Sequence, residues 1–316
     1  MHRLRLPLLL ALVALLAAAC GGSTDATTTT VAPVDDVPSD VFVGVDGVES
    51  SIADTSRIVS LNGDLTETIF ALGAGDRVVG IDLTTTYPEE AAALPDVGLG
   101  RNLNPEVVLG LNPTLVIGDE QIEPVSAIEQ IRAAGVPVII LPLEVTLEGV
   151  PRKIANVGTI LGLEAEAEAL SATVQAEIDE ALALAATATS EPRVAYTYVR
   201  GPETLLLFGN GMPTHFLIEA AGAVDAAGDT GVIFAENLSA ERLVAAEPEI
   251  LLLPTEGYEI IGGLDAYLAL PGVADTPAGR AGAVIDYDEA LLLGMGPRAG
   301  KALRMLVVDL HPEIEG

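Results

Sequence analysis

Tyr198 and Arg200 are two residues whose types and spacing can do chemistry together. They lie at and just beyond the end of the run from 193 to 199, which reads as a β-strand, and a strand places residues i and i+2 on the same face. The guanidinium of Arg200 is therefore expected to hydrogen-bond the phenol oxygen of Tyr198 and to depress its pKa from about 10. The expected product is a phenolate near neutral pH, which is a hard anionic donor.

Motifs of catalysis are missing from the sequence. It contains no GxSxG, no HExxH and no suitably spaced nucleophile and base, so we predict that the protein is not an enzyme. A zinc or manganese carrier needs several histidines and carboxylates that converge, whereas only His215 and His311 lie beyond the N-terminal leader that contains His2. A lone histidine such as His215 is more often structural than a ligand.

Two glutamates occupy equivalent places in an internal repeat. The segment LNPEVVLGLNPTLVI, residues 103 to 117, recurs in outline 135 positions later as LSAERLVAAEPEILL, residues 238 to 252. In each copy a helix-capping residue is followed two places on by a glutamate, Glu106 or Glu241, then by an apolar helix, a proline and a β-rich run. The repeat predicts two similar lobes with a cleft between them.

The N-terminal sequence MHRLRLPLLLALVALLAAAC is typical of a lipoprotein signal peptide, with two arginines, an apolar stretch and small residues before Cys20. A transmembrane helix would need roughly 20 apolar residues. Cys20 is the only cysteine, so it is the expected lipid-attachment site of a protein on the extracytoplasmic face of the cell membrane. Plain secretion stays an alternative, because Ala17 stands where such signals usually carry leucine.

Composition limits the partners of the chain. The balance of 46 acidic against 15 basic residues argues against a nucleic-acid surface and against long-range attraction to anionic lipid. Any anionic ligand must therefore be held by local cations. After the signal peptide, residues 1 to 20, comes a segment rich in Gly, Ser, Thr, Pro and Asp, which predicts a disordered tether over residues 21 to 50.

Strands alternate with helices through the rest of the chain. The patterns predict strands at 57 to 61, 78 to 81, 115 to 117, 136 to 141 and 193 to 199, and helices at 64 to 72, 126 to 134 and 213 to 221. Uniformly apolar strands separated by helices indicate mostly parallel, covered sheets. We expect an α/β protein with an N-terminal lobe over residues 51 to 147, a linking helix over 148 to 190, with an elbow possible at Gly162, and a C-terminal lobe over 191 to 316.

A helix start near the C-terminus is a further candidate for ligand contact. Pro297 suits the first helical position and Gly296 permits close approach, so free N–H groups could point into the cleft beside Arg298. The same Gly-Pro pair is also ordinary chemistry for the start of a helix.

These features together resemble a known family. The leader, the run SLNGDLTETIFALGAGDRVVGIDLTTTYPEEAAALPDVG at 60 to 98, the segment LNPEVVLGLNPTLVIG, the long middle helix and the late LLLGMGPR are similar to the substrate-binding lipoproteins of ABC importers for haem, vitamin B12 and ferric siderophores, most of all to the haemin-binding branch. The resemblance implies a class III periplasmic-binding-protein fold, with two α/β lobes joined by a long α-helix. It also implies a monomer that captures haemin in the cleft for iron uptake and delivers it to a two-subunit permease with its ATPase.

The resemblance also implies roles for individual residues. In this family a glutamate at the tip of each lobe engages arginines of the permease, and the matching positions are Glu106 and Glu241. Ferric iron is often bound there through a tyrosine, because a phenolate is a hard donor. The matching positions are Tyr87, in the TTTYPEE loop, and Tyr198.

Three arginines are implied as contacts for the haem propionates or as support for the ligand, namely Arg101, Arg200 and Arg298. One subgroup pairs its tyrosine with a histidine from the first lobe, and this chain has none there. The sixth iron position is therefore left to Tyr87, to a water or to no ligand. A ferric siderophore or a corrinoid in the same cleft is the alternative, although the absence of tryptophan argues against a large flat B12 pocket.

Overall fold

The computed structural model describes residues 41 to 314, so the predicted leader with Cys20 and the predicted tether up to residue 40 lie outside the described residues. The first elements are β1 (Val41–Val43) and β2 (Glu49–Ser51), which pair as an antiparallel hairpin. The N–H of Val45 donates to the carbonyl of Ile140 at 2.9 Å, and Phe42 packs against the hydrophobic core. The prediction that the tether extends to residue 50 is therefore wrong, because this segment has both apolar side chains and backbone groups that find partners.

The first lobe is built on a parallel sheet of four strands. These are β3 (Ile58–Ser60), β4 (Val78–Ile81), β5 (Leu115–Asp119) and β6 (Val138–Leu141), in the order β4-β3-β5-β6. Its α-helices are α1 (Gly63–Ala71), α2 (Glu89–Ala92), α3 (Pro105–Gly110) and α4 (Val125–Ala133), with 3-10 turns at Gly75–Arg77 and Gly100–Asn102. The strands are largely apolar and buried, as expected of a parallel sheet that is covered on both faces.

Two helices connect the lobes. They are α5 (Gly149–Leu161) and α6 (Glu164–Ala185), and they meet at Gly162, whose left-handed φ of 67° ends the first of them. A Cβ at Gly158 would lie 2.3 Å from the Cβ of Ala167, so glycine is needed where the two helices touch. The single helix predicted over residues 148 to 190 is therefore two helices with an elbow.

The second lobe contains a mixed sheet of six strands. They are β7 (Arg193–Val199), β8 (Leu205–Phe208), β9 (Val224–Asp225), β10 (Ala235–Asn237), β11 (Ile250–Pro254) and β12 (Val284–Tyr287). The order is β10-β8-β7-β11-β12, with β9 also beside β7. Strands β7, β9, β11 and β12 pair in parallel, whereas β8 and β10 run antiparallel at one edge.

Eight α-helices surround this second sheet. They are α7 (Pro213–Ala220), α8 (Ala226–Asp229), α9 (Ala240–Ala246), α10 (Thr255–Ile261), α11 (Leu264–Leu268), α12 (Pro277–Ala281), α13 (Glu289–Leu293) and α14 (Ala299–Leu310), with a 3-10 turn at Val273–Asp275. Helix α14 packs along α6, and a Cβ at Gly300 would lie 2.6 Å from the Cβ of Glu177. One continuous hydrophobic core therefore includes residues of both lobes and of the linking helices.

The internal repeat is present in three dimensions. Helices α3 and α9 follow side-chain caps, with Asn104 accepting from the N–H of Glu106 and Ser239 from the N–H of Arg242. The residue before the proline is left-handed in both copies, with φ of 49° at Asn112 and 48° at Glu247. Each copy then enters a buried central strand, β5 or β11. The two lobes are thus variations on one loop, helix and strand unit.

Candidate ligand-binding site

A cavity of about 490 Å³ lies between the lobes. The first lobe lines it with segments that follow the carboxyl ends of β3, β4, β5 and β6, including Asp64, Asp82, Arg101, Asp119 and Glu144. The second lobe lines it with the end of β7, with β8, with the start of α7 and with α13, including Tyr198, Arg200, Phe208 and Glu289. Carboxyl ends of parallel strands are the usual ligand sites of α/β sheets, and the volume suits a small organic molecule.

Tyr198 lies on the second-lobe wall of this cavity, in β7. Its ring stacks on Phe208 of the neighbouring strand, with 5.2 Å between ring centroids and 12° between ring planes. Its hydroxyl donates to Oε1 of Glu289 at 3.0 Å. The phenol is thus held in one orientation by a ring on its face and by a carboxylate at its tip.

The sequence predicted that Arg200 hydrogen-bonds the phenol oxygen of Tyr198. In the structure Arg200 bonds Glu289 instead. Its Nε and Nη2 both donate to Oε2 of Glu289, at 3.1 and 3.0 Å. Burial, and next the negative charge of Glu289, raise the pKa of Tyr198 to about 12, and these effects outweigh the positive charge of Arg200. The predicted depression of this pKa is therefore wrong, because a carboxylate from α13 stands between the two side chains and accepts from both.

Arg101 lies in the 3-10 turn Gly100–Asn102 of the first lobe and lines the cavity. Within residues 41 to 314 its guanidinium has no hydrogen-bond or ion-pair partner. Its positive charge acts to lower the pKa of Tyr198 on the opposite wall. Arg101 is therefore a cation that is available to an anionic group in the cavity.

Tyr87 and Arg298 form a cluster of their own and are not among the residues that line the cavity, so their roles toward a ligand stay predictions. The guanidinium of Arg298 lies 3.7 Å from the centroid of the Tyr87 ring, a cation–π contact. Two nitrogens of the same guanidinium donate to the carboxylate of Glu67 in α1, at 3.0 and 2.9 Å. The backbone N–H of Arg298 also donates to Glu67, so a side chain of the first lobe takes the place at this helix start that was predicted for a ligand.

The first-lobe wall contains three buried carboxyl groups, Asp64, Asp82 and Asp119. Lys153 of α5 pairs with Oδ2 of Asp64 and also donates to the carbonyls of Gly294 and Met295 in the second lobe, at 3.0 and 2.9 Å. Burial raises the pKa of Asp82 to about 6, and burial followed by the charge of Asp64 raises the pKa of Asp119. This wall therefore contains two kinds of buried group. The Lys153–Asp64 ion pair links the two lobes, and Asp82 and Asp119 have raised pKa values.

The remaining candidates lie away from the cavity. His215 bonds Asp225 through Nδ1 at 3.0 Å, which gives it a structural role. Glu106 and Glu241 are exposed in the first turns of α3 and α9, and neither has an ion-pair partner within residues 41 to 314. No three histidine, cysteine, aspartate or glutamate side chains of that part of the chain are grouped so that they could hold a metal ion. None of its helices is long and apolar enough to cross a membrane.

Sequence reasoning missed Glu289, Phe208 and Asp82. Two signals could have found them. Asp82 directly follows β4 and Glu289 lies two residues after β12, so both stand where parallel strands present their carboxyl ends. Phe208 is two residues from Leu206 in β8, so alternation places both on one face, and both line the cavity.

Residues 58 to 291 match the model of the periplasmic binding protein family, and the chain belongs to this family. The solved structure of the periplasmic heme-binding protein RhuT from Roseiflexus sp. RS-1, in apo form, is 45% identical and superposes with a TM-score of 0.80, over 83% of this chain and 100% of that chain. The fold and the family resemblance expected from the sequence are confirmed.

Two relatives extend the comparison. The ABC transporter substrate-binding lipoprotein YvrC of Bacillus subtilis is 27% identical over 81% of this chain and 80% of its own length. A cobalamin-binding protein of Halobacterium salinarum is also 27% identical, over 82% of this chain and 70% of its own length. The protein is thus the substrate-binding component of an ABC importer, a class that works outside the cytoplasm with a permease and an ATPase.

Proposed function

We propose that this protein captures haemin in the cavity between its lobes and delivers it to its permease. The observation that carries the proposal is the position of Tyr198, whose hydroxyl is held at the cavity wall opposite the unpaired cation Arg101. Ferric iron suits a phenolate oxygen, and an arginine suits a propionate carboxylate. The 45% identity to a heme-binding protein supports the same ligand.

Tyr198 is the proposed iron ligand. Its pKa of about 12 keeps the phenol protonated in the empty protein, and its proton points to Glu289. A metal cation lowers the pKa of a group that it binds, so the approach of iron(III) favours loss of this proton. Glu289 holds the phenol in place before binding, and Arg200 neutralises the Glu289 carboxylate.

The test is a haemin titration of the purified protein, followed by its absorption spectrum, in wild type, Tyr198→Phe and Tyr258→Phe. Loss of a residue behind a metal ligand already costs 10- to 100-fold in affinity, so loss of the ligand itself is expected to cost about 100-fold or more and to change the spectrum. Tyr258 does not line the cavity and serves as the matched control. An unchanged spectrum and affinity in Tyr198→Phe would remove this role.

A corrinoid is the second candidate, because a relative over most of the chain is named as a cobalamin-binding protein. The same titration with cobalamin separates the two ligands. Saturable binding of cobalamin together with no uptake of haemin would replace the proposal.

Permease docking is proposed for Glu106 and Glu241. Both are exposed, unpaired within the described part of the chain and related by the internal repeat, as contacts to a two-subunit permease require. Glu106→Ala combined with Glu241→Ala is expected to abolish haemin uptake by cells while haemin titration of the purified protein stays unchanged. Glu168→Ala, on the exposed side of α6, is the control. Normal uptake by the double variant would contradict this assignment.

Membrane anchoring is proposed through Cys20, which lies outside the described residues. Cys20→Ser is expected to move the protein from the membrane fraction to the soluble fraction. Retention of this variant in the membrane fraction would show that another feature holds the protein there.

A further inference from the structure

Phe234 is an exposed aromatic residue at the cavity. It lines the cavity from the segment before β10, yet 62% of its surface is open to solvent. Its φ is 57°, a left-handed conformation that is rare for a bulky side chain. An outlier of this kind persists only where the surrounding structure imposes it, and such outliers concentrate at functional sites.

The backbone around Phe234 fixes this conformation. Its N–H donates to the carbonyl of Asn210 at 2.7 Å, and its carbonyl accepts from the N–H of Gly209 at 2.9 Å. The ring lies against Gly211, where a Cβ would come within 2.9 Å of the ring carbon Cε1. Glycine at 211, itself left-handed with a φ of 90°, therefore leaves the space that the ring occupies.

Single exposed apolar side chains are ordinary, and Ile233 is as exposed as Phe234, so the left-handed backbone at the cavity rim is what sets Phe234 apart. Phe208 and Tyr198 already stack on each other beside the cavity, so Phe234 adds an aromatic surface to the same lobe. Aromatic rings prefer offset stacking on other flat π systems, and the exposed face of Phe234 is free for such a contact.

We propose that Phe234 is a preformed platform for the flat face of a porphyrin, an inference that rests on the proposed function. Tyr198 binds the iron, whereas Phe234 binds the macrocycle and removes its own ring from water in doing so. The platform therefore acts on any porphyrin of the same shape, with or without iron. Its backbone bonds to residues 209 and 210 fix the main chain, and the ring lies against Gly211, before the ligand arrives.

The test compares haemin with metal-free protoporphyrin IX in titrations of wild type and Phe234→Ala. Loss of the ring is expected to weaken the affinity for both ligands by about tenfold, because burial of much of a phenylalanine side chain contributes a free energy that corresponds to such a change in affinity. Phe234→Tyr keeps the ring and is expected to bind within about twofold of wild type, because stacking requires only the π face. Ile233→Ala is the matched control, since Ile233 is equally exposed at 62% but does not line the cavity.

Tyr198→Phe separates failure of this inference from failure of the proposed function. If haemin is the ligand, this variant weakens haemin and leaves protoporphyrin IX unchanged, whether or not Phe234 is a platform. If Phe234→Ala then binds both porphyrins as wild type does, the platform is wrong while the haemin proposal stands. Normal binding with impaired cellular uptake would assign Phe234 to permease contact and also overturn the platform.

Phe234→Leu keeps the apolar bulk but removes the π face, and it serves if the alanine variant does not fold. Weaker binding of both porphyrins by Phe234→Leu than by Phe234→Tyr supports the platform. Equal binding by these two variants would overturn it.

Discussion

The two walls of the cavity come from lobes that share one repeated unit, yet their chemistry differs. The first-lobe wall contains the buried carboxyl groups Asp64, Asp82 and Asp119, whereas the second-lobe wall contains the rings of Tyr198 and Phe208. The repeat thus fixes where each lobe presents its strand ends, and the residues placed there decide what each wall does. The difference teaches that similarity of the lobes predicts the position of a site but not its function.

The polar wall is also the one that joins the lobes. Lys153 pairs with Asp64 and reaches the carbonyls of Gly294 and Met295, and Glu67 pairs with Arg298. The rings of Tyr198 and Phe208 make no such link within residues 41 to 314, and Arg101 acts on Tyr198 only through its charge across the cavity. We therefore expect changes to the buried charged groups of the first wall to alter mainly stability, and changes to the aromatic rings, or to Arg101 across the cavity from them, to alter mainly binding.

The largest expected effect comes from Lys153. Its side chain is 3% exposed and that of Asp64 is 7% exposed, so Lys153→Met leaves a buried carboxylate without its partner. Loss of one partner of a buried pair is expected to lower the free energy of unfolding by about 3–5 kcal/mol, measured by urea denaturation. Lys301→Met, at an exposed position on α14, should change it by less than about 0.5 kcal/mol.

A second variant checks the cause of that loss. Lys153→Met combined with Asp64→Asn removes both charges and should recover much of the lost stability. If the double variant is no more stable than Lys153→Met, packing of the lysine chain and not the unpaired charge is responsible.

The next effect concerns Asp82 and depends on pH. Its pKa is raised from the ordinary aspartate value of 3.8, which applies to the unfolded chain, to about 6 in the folded protein, with burial as the first cause. The unfolded chain therefore loses this proton first, so folded-state stability falls as the pH rises from about 4 to about 6. Asp82→Asn is expected to raise the free energy of unfolding by roughly 2 kcal/mol at pH 7, and to have no such effect near pH 4.

Urea denaturation of wild type and Asp82→Asn at both pH values measures this difference. Glu168→Gln, on the exposed side of α6, is the control and should show no pH-dependent gain. A gain of equal size at pH 4 and pH 7 would show that hydrogen bonding to Thr84, and not the ionisation of Asp82, sets the stability.

The smallest expected effect tests the charge that faces the aromatic wall. Arg101→Gln removes a cation that has no protein partner within the described residues and is expected to weaken haemin binding by about three- to tenfold at low salt. The difference from wild type should shrink as salt screens the charge. Arg304→Gln, at an exposed position on α14, is the control, and a loss that does not respond to salt would contradict a charge-based role.

Much of the fold could be predicted from the sequence because local patterns carry it. The predicted strands at 78 to 81 and 193 to 199 have the bounds of β4 and β7, and the helix predicted from 213 begins at Pro213 as α7 does. Apolar runs, helix caps and glycines that end helices act over a few residues, so they can be recognised in the sequence without knowledge of any tertiary contact. The lateral order of the strands and the antiparallel edge of β8 and β10 needed the structure, because pairing joins residues far apart in the chain.

The candidate site was predicted in part for the same reason. Tyr198 was singled out by the family resemblance and by its place at the end of a predicted strand, and it lines the cavity. Tyr87 stays a prediction as an iron ligand, and its cation–π contact with Arg298, which comes from 211 residues later in the chain, could not be predicted from the sequence. The predicted partner of Arg200 was wrong, because Glu289 reaches it from α13.

The sequence by itself determined the alternation of strands and helices, the two-lobed repeat and the residue types available for binding. Only the tertiary structure decided which charges find partners: Glu289 accepts from both Tyr198 and Arg200, and Lys153 joins Asp64 to the second lobe. The physical reason is the separation along the chain of the residues that interact. Hydrophobic periodicity acts between neighbours along the chain, whereas burial and ion pairing depend on which distant segments the folded core brings within a few ångströms.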